Sequence, residues 1–322
     1  MGLNEIIVVV PVKNEAWVLE VFLKVTLKVA DAVLIAYQSS EDDTLEIAQK
    51  FDRVTVLQNP SEAYNNATRQ QFLLSEARRL FPGPKVILAL DADEILSADS
   101  LQPEKWDAIR RLPPGTLLYL PKTDLVNHAA EAVALPMAFY PLGFVDDGLL
   151  THSGKPMHSV RIPLGGPQQP KQELPGIHIL HLQRLRPRTQ EAKRRFYQVK
   201  ENDFGMNRWY WRRKRYNKAD FLGWNLPLKP TPNEWLFYPG ELQVNLNSLF
   251  EPKTNWFDYE VSQILRQNGS RRYWLDDIWD KDWAADTFEA IKPPPFLLKV
   301  ALKITDFIFS ILYKLKSKWL KG

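Results

Sequence analysis

The sequence predicts an α/β protein, doubly wound around a mostly parallel sheet, and three observations support that class. Residues 6–10, 33–37, 54–57 and 86–90 form short apolar runs rich in Val, Ile and Leu, the pattern of strands buried on both faces. The stretches between them carry apolar residues at helical spacing. The resulting order, strand then helix repeated, is that of βαβ units, whose crossovers make neighbouring strands parallel.

In chain order, the strand at 6–10 is followed by a helical pattern over 16–29 that puts Val18, Phe22, Val25 and Val29 on one face. The strand at 33–37 leads to a short helical stretch at 44–51. The strand at 54–57 leads to a helix over 67–80 that groups Leu73, Ala77 and Leu80, and the strand at 86–90 closes the series. Ten prolines punctuate residues 100–170, which excludes a run of long helices and predicts an irregular mixed continuation. A basic helix is expected from Thr189 to about Phe204, then an aromatic and basic run over 207–216, and eight of the eleven Trp fall between Trp209 and Trp283. Pro293, Pro294 and Pro295 form a stiff spacer before a final helix. The expected division is 1–100, 101–206, 207–290 and 291–322.

With 322 residues, 45% of them hydrophobic and 25% charged, the chain has ample material for a core and is not disordered as a whole. Its apolar stretches are broken by charges before the roughly 20 residues that a bilayer span needs. There is no Cys, which removes disulfides, Cys-ligated metals and a Cys nucleophile. The first residues lack a basic start and a cleavage site, so the expected location is cytoplasmic. The net charge of +4 conceals an asymmetry: residues 184–218 carry +10 and residues 291–322 carry +6, leaving about −12 for the rest. Phosphate groups of lipid, nucleotide or nucleic acid are the partners such basic segments fit. In 291–322 the polar positions Lys299, Lys303, Asp306, Ser310, Lys314, Ser317 and Lys321 form a stripe. The helix is therefore amphipathic and suited to an anionic membrane surface, on the inner face of the cell membrane.

Ligands of an open parallel sheet bind beyond the carboxyl ends of its strands. Here those ends read Pro11-Val12-Lys13-Asn14-Glu15, Gln38-Ser39-Ser40-Glu41-Asp42-Asp43-Thr44, Gln58-Asn59-Pro60 and Asp91-Ala92-Asp93-Glu94. If the chain stays extended after the fourth strand, Asp91 and Asp93 point the same way and suit a hard divalent cation, Mg²⁺ or Mn²⁺, held jointly with phosphate oxygens. A plain helix-capping turn is the competing explanation.

These segments, together with Asn66-Ala67-Thr68-Arg69-Gln70 and Leu90-Asp91-Ala92-Asp93-Glu94-Ile95-Leu96, in this order and spacing, resemble family 2 glycosyltransferases of the GT-A fold. The Asp-Ala-Asp-Glu form is similar to the branch that assembles lipopolysaccharide core and cell-surface glycans. The likeness covers residues 5–100 well, 101–200 loosely and the remainder hardly at all. It implies a GT-A-type sheet with an irregular acceptor-side extension. It also implies Pro11, Asn14 and Glu15 around the nucleoside of a nucleotide-sugar donor, Asp91 and Asp93 on the metal that bridges the diphosphate, and Arg69 near the nucleotide or sugar. The family usually ends its second strand in an acidic pair, whereas this chain has Tyr37-Gln38. An amide hydrogen-bonds a base edge without the carboxylate's preference, which leaves the base open.

An inverting transfer needs a carboxylate to deprotonate the acceptor, a glycan or a lipid-linked sugar. Asp146 and Asp147 are the adjacent pair in the Pro-rich region, with Glu131 and Glu173 behind them. All five His lie between His128 and His181. The resemblance favours His181 over His178 as a further metal ligand; His158, in Lys155-Pro156-Met157-His158-Ser159-Val160-Arg161, suits acceptor and phosphate equally. Two other classes compete. One is a non-catalytic glycan- or nucleic-acid-binding module using the 207–216 run, although no nucleic-acid motif accompanies it. The other is a sugar-phosphate nucleotidyltransferase, whose early Gly-rich loop is missing. Hydrolase elbow, dinucleotide and Walker motifs are also missing.

Overall fold

The computed structural model describes residues 3–133, 138–223, 226–246, 249, 255–279 and 291–319. They fall into two compact units, Met1–Leu185 with Pro227–Phe250, and Arg186–Leu226 with Glu251–Gly322.

The first unit begins β1 (Glu5–Val12), α1 (Leu19–Thr26), β2 (Ala32–Tyr37), α2 (Thr44–Ala48), β3 (Val54–Gln58), α3 (Asn66–Leu80), β4 (Lys85–Ala89). The four strands lie in the order β3-β2-β1-β4 and every neighbouring pair is parallel. Period-two alternation divides β1 between two cores. Ile6, Val8, Val10 and Val12 pack with Phe22 and Leu23 of α1, and Ile7 and Val9 pack with Leu73 and Ala77 of α3 on the other face. With helices on both faces, the α/β class expected from the apolar runs holds.

Beyond β4 come β5 (Glu94–Leu96), α4 (Pro103–Ile109), β6 (Leu117–Val126), β7 (Glu131–Val133), β8 (Phe139–Val145), β9 (Lys171–Glu173), β10 (Ile179–His181) and β11 (Leu228–Pro230). β8 is antiparallel to β4 and β6 is antiparallel to β8, so β6 runs with β4 and ends on the same edge. Pro121 and Pro141 are accommodated in this pair, where the register shifts between Leu118 and Tyr119. β10 lies parallel to β6 and antiparallel to β5, which sets His181 level with Asp124 and opposite Glu94.

The second unit is helical among the described residues. Its basic helix Pro187–Asp203 packs Phe196 edge-on to Trp256 and beside Phe257, of the helix Trp256–Asn268. Of the arginines in the 207–216 run, Arg212 and Arg213 are buried while Arg208 and Arg215 are exposed. Arg194, Arg195, Arg212 and Arg213 are all buried and are met by acids of the same unit. Arg194 donates to Asp277 Oδ2 (2.9 Å), Arg195 grips Asp258 with two bonds of 2.8 Å, and Arg212 Nε meets the buried Asp276 at 2.7 Å. Arg213 pairs with Asp306 of the C-terminal helix Phe296–Trp319. Among the described residues no helix is long and apolar enough to cross a membrane.

Asp146 and Asp147, expected as candidates for the base, lie at the opposite edge of the sheet from the carboxyl ends of the parallel strands. They follow β8 where it pairs with the start of β4: Val145 is level with Val86, and the Asp146 N–H donates to the Lys85 carbonyl. The carboxyl ends of the parallel strands are a full strand length away. Asp146, with 2 % of its side chain exposed, accepts two bonds from Arg78 Nε and one of 2.7 Å from Nη2, with Lys85 Nζ at 3.5 Å. Asp147 caps its own turn by accepting from the Leu149 and Leu150 N–H groups.

Two predictions follow from this packing. Burial works to raise the Asp146 pKa, but Arg78, the Gly148 N–H and Lys85 outweigh it and hold the carboxyl below its ordinary value. Asp146→Asn should therefore cost about 3 kcal/mol in denaturant unfolding at pH 7. A group with a depressed pKa stabilises above its unfolded value, near 4, and loses that contribution as pH falls through its folded value. The stability gap between wild type and variant should accordingly shrink towards pH 3, and an equal gap at pH 7 and pH 3 would contradict the ion pair. At Gly143, opposite Leu88, an added Cβ would stand 2.5 Å from Leu88 Cδ2 and 3.1 Å from the Ile87 carbonyl oxygen. Gly143→Ala should lower unfolding stability by about 2 kcal/mol, and an unchanged midpoint would refute the close approach of β8 to β4.

Candidate active site

The polar ends of β1, β2 and β4 meet on one edge of the sheet, as expected. At the end of β1, Asn14 adopts a left-handed backbone (φ 54°), which Asn tolerates better than most residues. Its N–H donates to Ser40 Oγ (3.0 Å) and its Oδ1 accepts from the Glu41 N–H (2.7 Å). The Glu15 N–H donates to Thr44 Oγ1 (2.9 Å), and Glu15 Oε2 accepts from the Trp17 indole (2.6 Å). Asn14 and Glu15 thus bind the β1 and β2 loops together. Pro11 lies in β1 beyond Val9, the last residue level with β4.

Gln38 and Arg69 are brought together beside them. Gln38 is 6 % exposed and only loosely held: its Nε2 is 3.5 Å from the carbonyls of Ser61 and Glu62, and its Oε1 accepts from Arg69 Nη1 at 3.4 Å. Arg69 Nη2 donates to Asn66 Oδ1 (3.0 Å). Arg69 Nε and Asn59 Oδ1 are buried without a hydrogen-bond partner. A buried donor and acceptor left unmatched beside a loosely held amide are polar groups that a ligand could satisfy. Asn59 stood in the sequence as a strand-end residue, but nothing in its local pattern marked it as unsatisfied.

About two strand spacings away, roughly 10 Å, the segment after β4 differs from the extended form expected. The Glu94 N–H donates to the Asp91 carbonyl (3.0 Å), closing a turn, and Asp91 and Asp93 take different partners. Asp91 Oδ2 accepts from Arg161 Nη2 at 2.5 Å. Asp93 Oδ2 lies 3.6 Å from His181 Nε2. His181 Nδ1 is 2.7 Å from Asp124 Oδ1, and Asp124 Oδ2 accepts from Arg184 Nε at 2.6 Å. Burial disfavours the charged ring, yet Asp93 and Asp124 raise the His181 pKa to about 9. His178, its alternative, turns away and stacks on Trp235 with centroids 4.8 Å apart, and burial lowers its pKa.

The residue beneath this arrangement is Glu94, which has no solvent exposure. It accepts from both Arg161 nitrogens and from Lys122 Nζ at 2.9 Å. Burial alone would raise its pKa, but the two cations hold it well below the ordinary carboxylate range. Sequence reasoning missed Glu94, Lys122, Asp124 and Arg161 as site residues. One signal was present: Lys122 and Asp124 stand on a strand that is otherwise largely apolar.

Among the described residues no group of three or more His, Asp or Glu stands ready to hold a metal. Asp93 and His181 nevertheless face each other, and Asp124 fixes the ring through Nδ1 so that Nε2 is the atom presented. An imidazole oriented by a second carboxylate is the donor chemistry of a metal ligand, and oxygen donors with one nitrogen suit Mn²⁺ or Mg²⁺. Asp93 and His181 are thus two donors of the kind such an ion takes, while Asp91 is held by Arg161.

Of the remaining expected residues, Glu131 lies level with Val126 at the end of β6, on the same edge as Asp124. Its Oε2 accepts from Asn127 Nδ2. Glu173 is exposed beside Tyr119, in the first half of β6. His158 is exposed on the loop that carries Arg161, with φ 52°.

No family model matches the chain, and no curated protein matches it. Solved structures with some likeness include S. aureus TarS, at 16% identity over 38% of this chain and 22% of that one, with a TM-score of 0.28. Another is 4-diphosphocytidyl-2C-methyl-D-erythritol synthase, at 14% identity over 45% of this chain and 76% of that one, with a TM-score of 0.30. This chain thus spans about a fifth of the length of TarS. The α/β class stands on the strand order described above, not on these likenesses.

Proposed function

We propose that this chain is a metal-dependent glycosyltransferase of the GT-A type, in family 2. It moves a sugar with inversion from a nucleotide-sugar donor to a glycan or lipid-linked acceptor of the cell surface. The observation that carries the proposal is the line Asp93–His181–Asp124, set beside Asp91 and Arg161 at the carboxyl ends of parallel strands. In this proposal Asp91, Asp93 and His181 hold Mg²⁺ or Mn²⁺, which neutralises charge on the departing diphosphate. Arg161 lies against the acids on that edge and turns its guanidinium to phosphate oxygens when the donor enters. Gln38, Asn59 and Arg69 receive the base and ribose through their unmatched groups, while Asn14 and Glu15 shape the pocket by tying its loops. The base role passes to Glu131, the carboxylate among those considered that shares an edge with Asp124.

Titrating Mn²⁺ against a panel of nucleotide sugars without acceptor, and reading released nucleoside diphosphate, tests the proposal. Slow, metal-dependent donor hydrolysis is expected. Asp91→Asn and Asp93→Asn should each reduce it by roughly 10²-fold or more; wild-type hydrolysis in either variant would overturn the metal assignment. Glu131→Gln should reduce transfer to an acceptor by roughly 10²-fold while donor affinity is kept. Normal transfer by that variant would place the base elsewhere.

A further inference from the structure

We infer that the first turns of the C-terminal helix Phe296–Trp319, residues 296–308, lie in the plane of an anionic bilayer surface, with the face that holds Phe296, Val300, Ile304 and Phe307 in the lipid. The inference stands on the helix itself and is independent of the glycosyltransferase proposal.

At about 100° per residue, Phe296, Phe307, Val300, Ile304, Leu297 and Ile308 fall within an arc of about 120°. Every one of them is exposed, Phe296 at 77 %, Leu297 at 80 % and Phe307 at 67 %. The helix already uses its other side. Leu302 is buried, and Asp306 pairs with Arg213, Nε to Oδ1 at 2.9 Å. The apolar arc is therefore what remains after the helix has docked on its own unit. Contiguous exposed apolar surface of this kind marks an interaction site.

Charge decides the occupant. Residues 291–322 contain seven Lys and one acid, Asp306, and Arg213 neutralises that acid. The segment's remaining charge is thus cationic by sequence, and exposed Lys303 sits on the rim of the apolar arc. A second copy of the chain would bring the same lysines to an isologous contact with no acid to answer them. Anionic headgroups answer them, and Lys-rimmed apolar faces fit the boundary between headgroups and acyl chains. The helix does not cross, because among the described residues none meets the length and apolarity that a span requires.

Flotation of the full chain with vesicles tests this, comparing phosphatidylcholine alone with phosphatidylcholine containing roughly 30% phosphatidylglycerol. At least ~10-fold stronger partition to the anionic vesicles is expected, weakened as salt is raised. The double variant Ile304→Ser, Phe307→Ser should partition ~10-fold or more weakly than the intact chain, with an unchanged melting temperature because both side chains are exposed. Equal flotation of the variant, or failure of the intact chain to float with the anionic vesicles, would overturn the inference. So would self-association of the intact chain at micromolar concentration in sedimentation, abolished in the variant, which would assign the face to a second copy. Donor hydrolysis by the variant in solution reads the active site separately, so the two proposals fail independently.

Discussion

A carboxylate sealed from water persists only when positive charge meets it, and the first unit is organised around one such group. Glu94 is met by Lys122 of β6 and by Arg161 of the loop between β8 and β9. Its backbone is level with His181 of β10. One side chain thus couples two strands and a loop that are far apart in sequence. Removing the Glu94 charge would leave two cations facing each other, and the sheet edge would lose its reason to bring Arg161 over Asp91.

From that anchor the charges alternate outward. Arg161 spans Glu94 and Asp91; on the other side Asp93, His181, Asp124 and Arg184 follow in sequence. Four acids face three permanent cations and an imidazole, so the edge is close to balance as it stands. In the proposed function this explains why metal and diphosphate suit the site as a pair. A bare cation would have to displace Arg161 from its carboxylates. A diphosphate arriving with the cation offers that guanidinium new oxygens, and the displaced charge is re-paired within the same site.

What could be read from the sequence follows the physics of each element. The strands β1 to β4 were legible because strands covered on both faces must be apolar along their length, and α3 because its apolar positions repeat at helical spacing. The clustering of the strand ends followed from parallel order alone. The failures share a cause, which is that they depend on partners distant in sequence. Asp91 and Asp93 were expected to extend in parallel, yet Glu94 closes a turn between them. Asp146 was expected at the acceptor, yet Arg78 and Lys85 hold it at the amino-terminal edge. Local pattern reports what one segment prefers; it does not report which distant charge will come to meet it.

The second unit shows the same rule deciding which charges a basic segment keeps for other molecules. Its arginines are fork-shaped donors that lose little on being fixed, and they are the cations found inside, each on an aspartate or a backbone carbonyl. Lysine keeps a strongly hydrated point charge on a flexible stem and stays at the surface. Four of the cations of residues 184–218 are therefore answered within the unit by acids that lie later in the chain. The C-terminal segment is the reverse case. All seven of its cations are lysines, and its single acid is held by an arginine from the earlier run. Composition alone makes the two segments look alike as phosphate-seeking surfaces; the aspartates met by Arg194, Arg195, Arg212 and Arg213 set the first apart.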